Sequence, residues 1–209
     1  MRRLVYFIVF VVVIVAIAYI VYEHRAWLGL SSAGGGVPTD VTNADLQPAH
    51  VSWRAVDRTQ DGFRIDMPSD ASEEQIPAYT ANGGAEQMEM LVAMPNADTT
   101  YAIVWDDNPP VERASGEAVE KTLNNARDGA LARTHTTLIG ETHAKYLGYP
   151  ARNFSGRNDS GGLFEARLIL AGKKLYMMIV ALPAASARRD EDVNHFFDSF
   201  KPTSTAHGE

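Results

Sequence analysis

Nineteen consecutive residues near the N-terminus, Leu4 to Tyr22, carry no charged side chain and consist mostly of valine and isoleucine. As an α-helix this segment is about 28 Å long, close to the ~30 Å thickness of a bilayer's hydrocarbon core. Inside lipid every backbone polar group must be satisfied within the chain, and a helix does this alone. The segment therefore predicts one transmembrane helix, with the lipid bilayer as a partner through residues 4–22.

The charges that flank this segment predict its orientation. Arg2 and Arg3 precede it, whereas Glu23, His24 and Arg25 follow it with one firm positive charge. Positive residues are retained on the cytoplasmic side. We therefore expect a single-pass protein of the plasma (inner) membrane, with a cytoplasmic N-terminus and a periplasmic or extracellular C-terminal domain.

Two other interpretations of the same segment fit the sequence less well. A cleaved signal peptide has an apolar core of about 7–15 residues followed closely by a small-residue cleavage site. Here the core is longer, and the nearest passable site, Ser31-Ser32-Ala33, lies more than ten residues beyond Ile20. A buried core helix is disfavoured because the segment is apolar on every side. A retained anchor within residues 1–30 is favoured, and cleavage stays open as the alternative.

The rest of the chain divides into a linker, a domain and a short tail. Residues 31–52 are rich in Gly, Ala, Ser, Thr and Pro and show no apolar period, so they bury too little surface to offset the entropy of ordering. As a flexible tether they span about 25 Å. We expect the folded domain at residues 53–202 and a disordered tail at 203–209.

Charge and cysteine content exclude several function classes. The chain has no cysteine, which excludes a disulfide framework, a thiolate metal site and a cysteine nucleophile. Its net charge is −7, and residues 1–25 contribute +2, so the remainder carries −9. An acidic domain repels phosphate backbones, and no nucleic-acid partner is expected.

Alternating and continuous apolar runs predict eight strands in the domain, bounded by Gly, Pro, Asn and Asp. No element is assigned to the polar stretch from Ser69 to Asn82. The predicted strands are Trp53–Arg58, Phe63–Met67, Gln87–Met94, Thr99–Trp105, Thr136–Tyr146, Ala151–Phe154, Leu163–Leu170 and Lys174–Leu182.

Two helices are predicted from apolar periodicity. In Glu117–Arg133 the apolar stripe is formed by Val119, Leu123, Ala126 and Ala130, with Ser115 as a candidate N-cap. In Asp192–Phe200 the stripe is aromatic, and three acidic residues, Asp190 to Asp192, suit the positive end of the helix dipole.

The strand from Leu175 to Val180 is apolar on both faces, so it needs cover above and below the sheet. The order strands, helix, strands, helix predicts an α+β domain, with a largely antiparallel sheet between two helical layers. We expect hairpins rather than crossovers to connect the strands.

Four segments, in this order and spacing, resemble PsbP-like domains. They are Asp61–Pro68 in the first hairpin, Gly148–Arg152 at a strand joint, the hairpin Arg167–Leu170 with Lys174–Tyr176, and the ending Phe196–Phe200. The resemblance spans about 140 residues and implies an α/β/α sandwich around an antiparallel sheet. It also implies a binding or assembly role, since the family includes photosystem subunits, a Ran-binding protein, secretion chaperones and membrane-anchored bacterial envelope proteins. It supplies no catalytic residue to transfer.

The histidines do not form a predicted metal site. On one unbroken strand His135 and His143 would share a face but lie about 26 Å apart, too far to bind one ion. His195 is expected at the edge of the last helix. Asp106, Asp107 and Glu112 form an acidic cluster that we interpret as a solvated loop rather than a divalent-cation site.

Other residues of chemical interest are assigned structural roles. Ser160-Gly161-Gly162 lies in a predicted turn, which lacks the strand–helix context of a nucleophile elbow. Methionines on the strands are expected to pack in the core rather than to line an adaptable binding surface. They are Met88, Met90, Met94, Met177 and Met178.

These observations predict a membrane-anchored, non-catalytic binding or assembly module of the cell envelope, with an unidentified protein partner. No residue is assigned as catalytic, cofactor-binding or metal-ligating, and no cofactor is expected. Two alternatives stay open: an envelope enzyme with an unrecognised site, and an envelope protein that binds a divalent metal.

Overall fold

The computed structural model describes residues 51–79, 85–96, 99–106 and 116–203. The predicted anchor at residues 4–22, the linker up to residue 50 and the tail from residue 204 lie outside the described residues. Within the described ranges no helix combines the length and the apolar character needed to cross a bilayer.

The described chain contains ten strands and two α-helices. The strands before the first helix are β1 Trp53–Arg58, β2 Phe63–Pro68, β3 Ser72–Tyr79, β4 Ala85–Asn96 and β5 Thr99–Asp106. Helix α1, Gly116–Arg133, is followed by β6 Thr137–Tyr146, β7 Tyr149–Arg157, β8 Leu163–Ala171 and β9 Lys174–Leu182. Helix α2, Asp190–Ser199, precedes the two-residue strand β10, Lys201–Pro202.

Seven strands form one sheet in the order β3-β4-β5-β9-β8-β7-β6, and every neighbouring pair is antiparallel. The predicted antiparallel α+β domain is therefore confirmed. The expectation of hairpins alone is wrong, because the chain leaves β5, the third of the seven strands, and crosses β9, β8 and β7 through α1 before it enters the edge strand β6. The apolar runs identify strands but carry no information about this connection.

Helix α1 covers one face of the large sheet. Its predicted stripe is confirmed, since Leu123, Ala126 and Ala130 are buried and Val119 packs against the same cluster. The sheet contributes alternate residues to this cluster, among them Met177 and Ile179 of β9. In the β8–β9 hairpin one side of each strand therefore lies under α1.

The opposite face is covered by α2 together with a three-stranded sheet in the order β1-β2-β10. Tyr176, Met178 and Val180 of β9 belong to this second cluster, so β9 is buried on both faces as predicted. The second layer is thus half sheet rather than purely helical. The first hairpin and the last helix each have a short apolar stripe, and neither stripe alone is large enough to cover seven strands. Both elements therefore pack on the same face.

Three local features differ from the sequence prediction. Strand β3 lies in the polar stretch for which the sequence predicts no element, and it pairs with β4 from Ser72↔Val92 to Tyr79↔Ala85. Tyr149 and Pro150 belong to β7, and the preceding turn is made by Leu147 and Gly148, both with positive φ. In α2 the acidic residues 190–192 form the first turn itself, and Arg189 occupies the N-cap position.

Tyr101 is the basis of a prediction about alkaline stability. Its side chain on β5 is 2% exposed and packs edge-on against Trp53 and Phe196. Burial, reinforced by the Asp192 carboxylate, raises the pKa of Tyr101 to about 12. The neutral phenol stabilises the folded state fully below pH 10, and this contribution of about 2–3 kcal/mol is lost as the pH rises from 10 to 12. Urea titrations at pH 9 to 12 should show this loss, and Tyr101→Phe should flatten it.

Candidate functional site

An open groove of about 850 Å³ lies between the β1–β2 hairpin and α2, and we call it the hairpin groove. Its charged lining residues come from β1, β2, α2 and β10, and they include both acidic and basic groups. They are Asp57, Arg64, Asp66, Glu191, His195, Asp198 and Lys201. Groups drawn from distant parts of the chain thus converge on one surface, as in a binding site.

The His195 imidazole is held at one wall of the hairpin groove. Its Nε2 lies 3.0 Å from Oδ2 of Asp66, and its ring lies 4.7 Å from the Trp53 ring, centroid to centroid. The sequence prediction placed His195 at the edge of the helix. It lies within α2, where its contacts with Asp66 and Trp53 connect α2 to the first hairpin.

Ser199 is the hydroxyl residue nearest in sequence to His195, and its hydrogen bonds are made to the backbone. Its Oγ donates to the carbonyl of Phe196 at 2.9 Å and accepts from the amide of Asp66 at 3.0 Å. A nucleophilic serine must instead give its proton to a base. Asp66, His195 and Ser199 therefore serve here to fasten α2 to β2.

Asp57 and Arg64 form an ion pair at the mouth of the groove, with Oδ2 and a guanidinium nitrogen 2.9 Å apart. A hydrogen bond from the Thr59 hydroxyl holds the pKa of Asp57 below its ordinary value, and Arg64 acts in the same direction. Both side chains are more than half exposed. The groove thus presents ionised groups that a partner can reach.

On the other face of the sheet, a fully buried arginine joins α1 to β6 and β7. We call the group Glu120, Asn124, Arg127, Glu141 and Arg152 the Arg152 cluster. The Arg152 guanidinium donates to Oε2 of Glu120 at 2.5 Å and to Oδ1 of Asn124, and its Nε lies 3.1 Å from Oε1 of Glu141. The buried charge of Arg152 is tolerated because carboxylates from α1 and β6 surround its guanidinium.

Glu141 is shared by two guanidinium groups, because Nη1 of Arg127 also lies 2.7 Å and 2.6 Å from its two carboxylate oxygens. Two carboxylates and two guanidiniums balance in charge within the cluster. Such a closed set fixes the position of a helix on a sheet and leaves little capacity for a ligand.

His143 lies on the rim of the Arg152 cluster. Its Nδ1 lies 3.2 Å from Glu120 and its Nε2 lies 4.0 Å from Glu141, so the two carboxylates approach opposite ring nitrogens. One ion cannot be held by all three, because a metal binds a histidine through one nitrogen. Among the described residues no group of three or more His, Asp or Glu side chains could hold a metal ion.

The other sequence candidates are not brought together. His135 occupies an exposed turn with a φ of 49° before β6, so it does not share a strand with His143. His143 contacts α1 on one face of the sheet, whereas His195 contacts β2 on the other. The acidic cluster keeps only Asp106 within the described residues, since Asp107 and Glu112 lie outside them.

Ser160 and the methionines follow their predicted structural roles. Ser160 is exposed in the turn Asn158–Gly162, which is closed by a hydrogen bond from the amide of Asn158 to the carbonyl of Gly162. Met88, Met90, Met177 and Met178 are buried, and Met94 is partly buried. The methionines therefore pack in the core.

Sequence reasoning missed both the His195–Asp66 pair and the Arg152 cluster. Their members are far apart along the chain, and the topology of the sheet alone brings them together. No short-range pattern in the sequence distinguishes Arg152, because polar and apolar residues are mixed on both faces of its strand.

Comparisons with known proteins identify the fold. No family model and no curated protein matches the chain in sequence. Cyanobacterial PsbP (CyanoP) from Synechocystis is similar in structure, with a TM-score of 0.52 at 13% identity over 83% of this chain and 98% of that one. The domain has a PsbP-like fold.

Two further solved structures show weaker similarity. The Ran-binding protein Mog1p of Saccharomyces cerevisiae gives a TM-score of 0.44 at 9% identity, over 75% of this chain and 98% of that one. A Pseudomonas aeruginosa protein of unknown function, described as a putative regulator, gives 0.39 at 10% identity, over 75% of this chain and 100% of that one.

Proposed function

We propose that this chain is a membrane-anchored, non-catalytic binding or assembly module of the cell envelope. In this proposal residues 4–22 hold it in the inner membrane, and the PsbP-like domain faces the periplasm or the outside. The apolar N-terminal segment supports the anchor. The implied family role, binding and assembly, agrees with the fold.

The hairpin groove is the observation that carries the proposal. It is open, it is lined by both carboxylates and cations, and four separate elements build it. A surface that carries both signs of charge suits recognition of a polypeptide with complementary charges, because a matching partner forms ion pairs and a mismatched one brings like charges together.

The chemistry of the same groove favours binding over turnover. The Ser199 hydroxyl is committed to backbone groups, and the His195 imidazole is committed to Asp66. Side chains that are held in this way are pre-organised contacts for a partner. The alternative of an envelope enzyme would use the His195–Asp66 pair as its acid–base group.

Blocking the hairpin groove tests this proposal. Asn194 is exposed on α2 and lines the groove, so Asn194→Trp fills space there without entering the core. We expect crosslinking of the full chain in intact cells to give one reproducible partner, and the variant to reduce its yield on the order of tenfold. Lys121→Trp, at an exposed position on α1 across the sheet, is the matched control and should keep the partner.

Two results would overturn the proposal. One is equal partner yield from the Asn194→Trp and Lys121→Trp chains, because the groove would then not be the contact surface. The other is substrate turnover by the purified full chain that Asp66→Asn abolishes, because that result would assign the His195–Asp66 pair to catalysis.

The membrane anchor has its own test. The full chain should remain with membranes after alkaline carbonate washing and be released by detergent, and added protease should reach the domain only from the periplasmic side. A mature chain that lacks its first thirty residues and is freely soluble would contradict the anchor.

A further inference from the structure

A second open pocket, of about 410 Å³, lies on the large sheet beside α2, and we call it the sheet pocket. Strands β6, β7 and β8 form its floor, and α2 contributes one wall through Asn194 and Phe197. Asn194 also lines the hairpin groove, so the two surfaces lie on either side of α2. The volume falls in the range of about 300–1,000 Å³ that is typical of small-molecule sites.

The floor of the sheet pocket is polar beside a buried apolar area. Antiparallel pairing sets six residues of the three strands in two neighbouring rows on the α2 side of the sheet. One row is Gly140, Ser155 and Glu165, and the other is Thr142, Asn153 and Arg167. On the same side of β7 and β8, Ala151, Leu163 and Ile169 are buried in the second apolar cluster. The second layer therefore covers the sheet up to these two rows and leaves the rows open.

The polar side chains of the floor are recessed. Glu165 and Arg167 are only 18% and 17% exposed, and Asn153 and Ser155 are also partly buried. Polar residues on an ordinary solvated face are mostly exposed. Recessed polar groups require hydrogen-bond partners, either from the protein or from the molecules that fill the pocket.

The charged groups of the floor are held by partners within the chain. The Arg167 guanidinium donates from Nε to Oδ1 of Asn153 at 2.9 Å and from Nη1 to the carbonyl of Phe197 at 2.8 Å. The Glu165 carboxylate accepts from Nε of Arg188 at 2.7 Å. These bonds fix the shape of the pocket before a ligand arrives, which lowers the entropy lost on binding.

The neutral groups of the floor keep their hydrogen-bonding capacity. Among the described residues the hydroxyls of Thr142 and Ser155 have no hydrogen-bond partner, and the Asn153 side chain uses only its oxygen. Gly140 keeps the Ser155 hydroxyl uncovered, because a Cβ at position 140 would lie 3.1 Å from its Oγ. The pocket thus offers hydroxyls, which both donate and accept, beside an amide group that donates.

The charge balance of the pocket disfavours an ionic ligand. Arg167 pairs with Asp198 at 3.0 Å, and Arg188 pairs with both Glu165 and Asp190. Both guanidiniums are therefore already neutralised, so an anion gains little, and the Glu165 carboxylate is likewise matched against a cation. A neutral ligand that carries several hydrogen-bonding groups fits this arrangement best.

We propose that the sheet pocket binds an uncharged saccharide. Each sugar hydroxyl both donates and accepts, as do the Thr142 and Ser155 hydroxyls, so adjacent sugar hydroxyls can bond to both rows of the floor. The Asn153 amide adds donors for the sugar's oxygens. The Phe197 ring in the wall supplies an apolar surface for the C–H groups of the sugar ring.

Titration of the full chain with neutral sugars tests the proposal. In micelles of a detergent without a sugar headgroup, N-acetylated chitobiose should cause saturable shifts of the Gly140, Thr142 and Ser155 amides in NMR spectra. Half-saturation is expected at about 1 mM or below. Ser155→Ala should weaken this affinity about three- to tenfold, because it removes one hydroxyl that bonds to the ligand. Saturation by free N-acetylglucosamine as well would assign the pocket to a single sugar, and saturation by the disaccharide alone would assign it to a glycan chain.

A matched pair of variants supplies the control. Thr142→Trp fills the pocket from its exposed rim and should abolish the shifts, whereas Lys145→Trp, exposed on the other face of β6, should keep them. Equal binding by the two variants would overturn the proposal. So would an unsubstituted chain that shows no saturation by about 10 mM sugar, or that is saturated by a blocked glycine dipeptide instead. Neither Thr142 nor Lys145 lines the hairpin groove, so the inference does not depend on the function proposed for that groove.

Discussion

Replacement of Arg152 by methionine should lower the free energy of unfolding by about 3 kcal/mol. The guanidinium is fully buried and bonds to Glu120 and Asn124 of α1, and it pairs with Glu141 of β6. Without it Glu141 still pairs with Arg127, whereas Glu120 loses its guanidinium partner. The expected loss is at the low end for a broken buried pair, because Glu120 is half exposed and can turn towards water.

Arg157 provides the control for this substitution, since it ends the same strand and is exposed. Arg157→Met should change stability by less than about 0.5 kcal/mol. Arg152→Lys, which keeps the charge and loses the fork of donors, should lie between the two. Urea unfolding of all three variants measures the differences, and an Arg152→Met loss below about 1 kcal/mol would show that the cluster does not hold α1 to the sheet.

Phe63→Ala should have the largest effect of any single truncation described here, about 3–5 kcal/mol. Phe63 is fully buried, and its ring packs against Trp105, Tyr176 and Phe200 with centroids 5.0 to 5.8 Å apart. These partners belong to β5, to β9 and to the chain after α2. Truncation therefore opens a cavity where the small sheet, the large sheet and the last helix meet.

Leu147→Ala is the matched control, because it removes a large apolar side chain that is 64% exposed. Its effect should stay within about 0.5 kcal/mol, and Phe63→Leu should cost less than Phe63→Ala because it fills part of the space. Thermal and urea unfolding measure both. Similar losses for Phe63→Ala and Leu147→Ala would contradict the packing described for the second face.

Short-range patterns predicted much of the domain. The β8–β9 hairpin, the stripe of α1 and the aromatic stripe of α2 each lie within twenty consecutive residues, and the structure confirms all three. Strand β3 was missed because its glutamates and its proline resemble a loop, and its pairing with β4 outweighs their poor strand propensity.

Long-range arrangements could not be predicted in the same way. The crossover through α1 arises because β5 pairs with β9 and not with β6, the next strand in the chain. No short sequence pattern predicts that pairing. The His195–Asp66 pair and the Arg152 cluster follow from the crossover and from the folding of α2 onto β2. A single histidine or arginine in the sequence has no distinguishing feature until these elements meet.

The neighbour of β5 also sets the order in which the sheet can be completed. Strands β3, β4 and β5 form a meander of their own, yet β5 obtains its second neighbour only from β9, which begins at Lys174. In a chain synthesised from its N-terminus, β5 therefore cannot be paired on both sides until Lys174–Leu182 has emerged. Such distant pairings slow folding, because the loop-closure entropy is lost before the contacts form. Until then β5 has an unpaired edge and apolar side chains that can associate with other chains. A chaperone would therefore prevent aggregation most effectively at this stage.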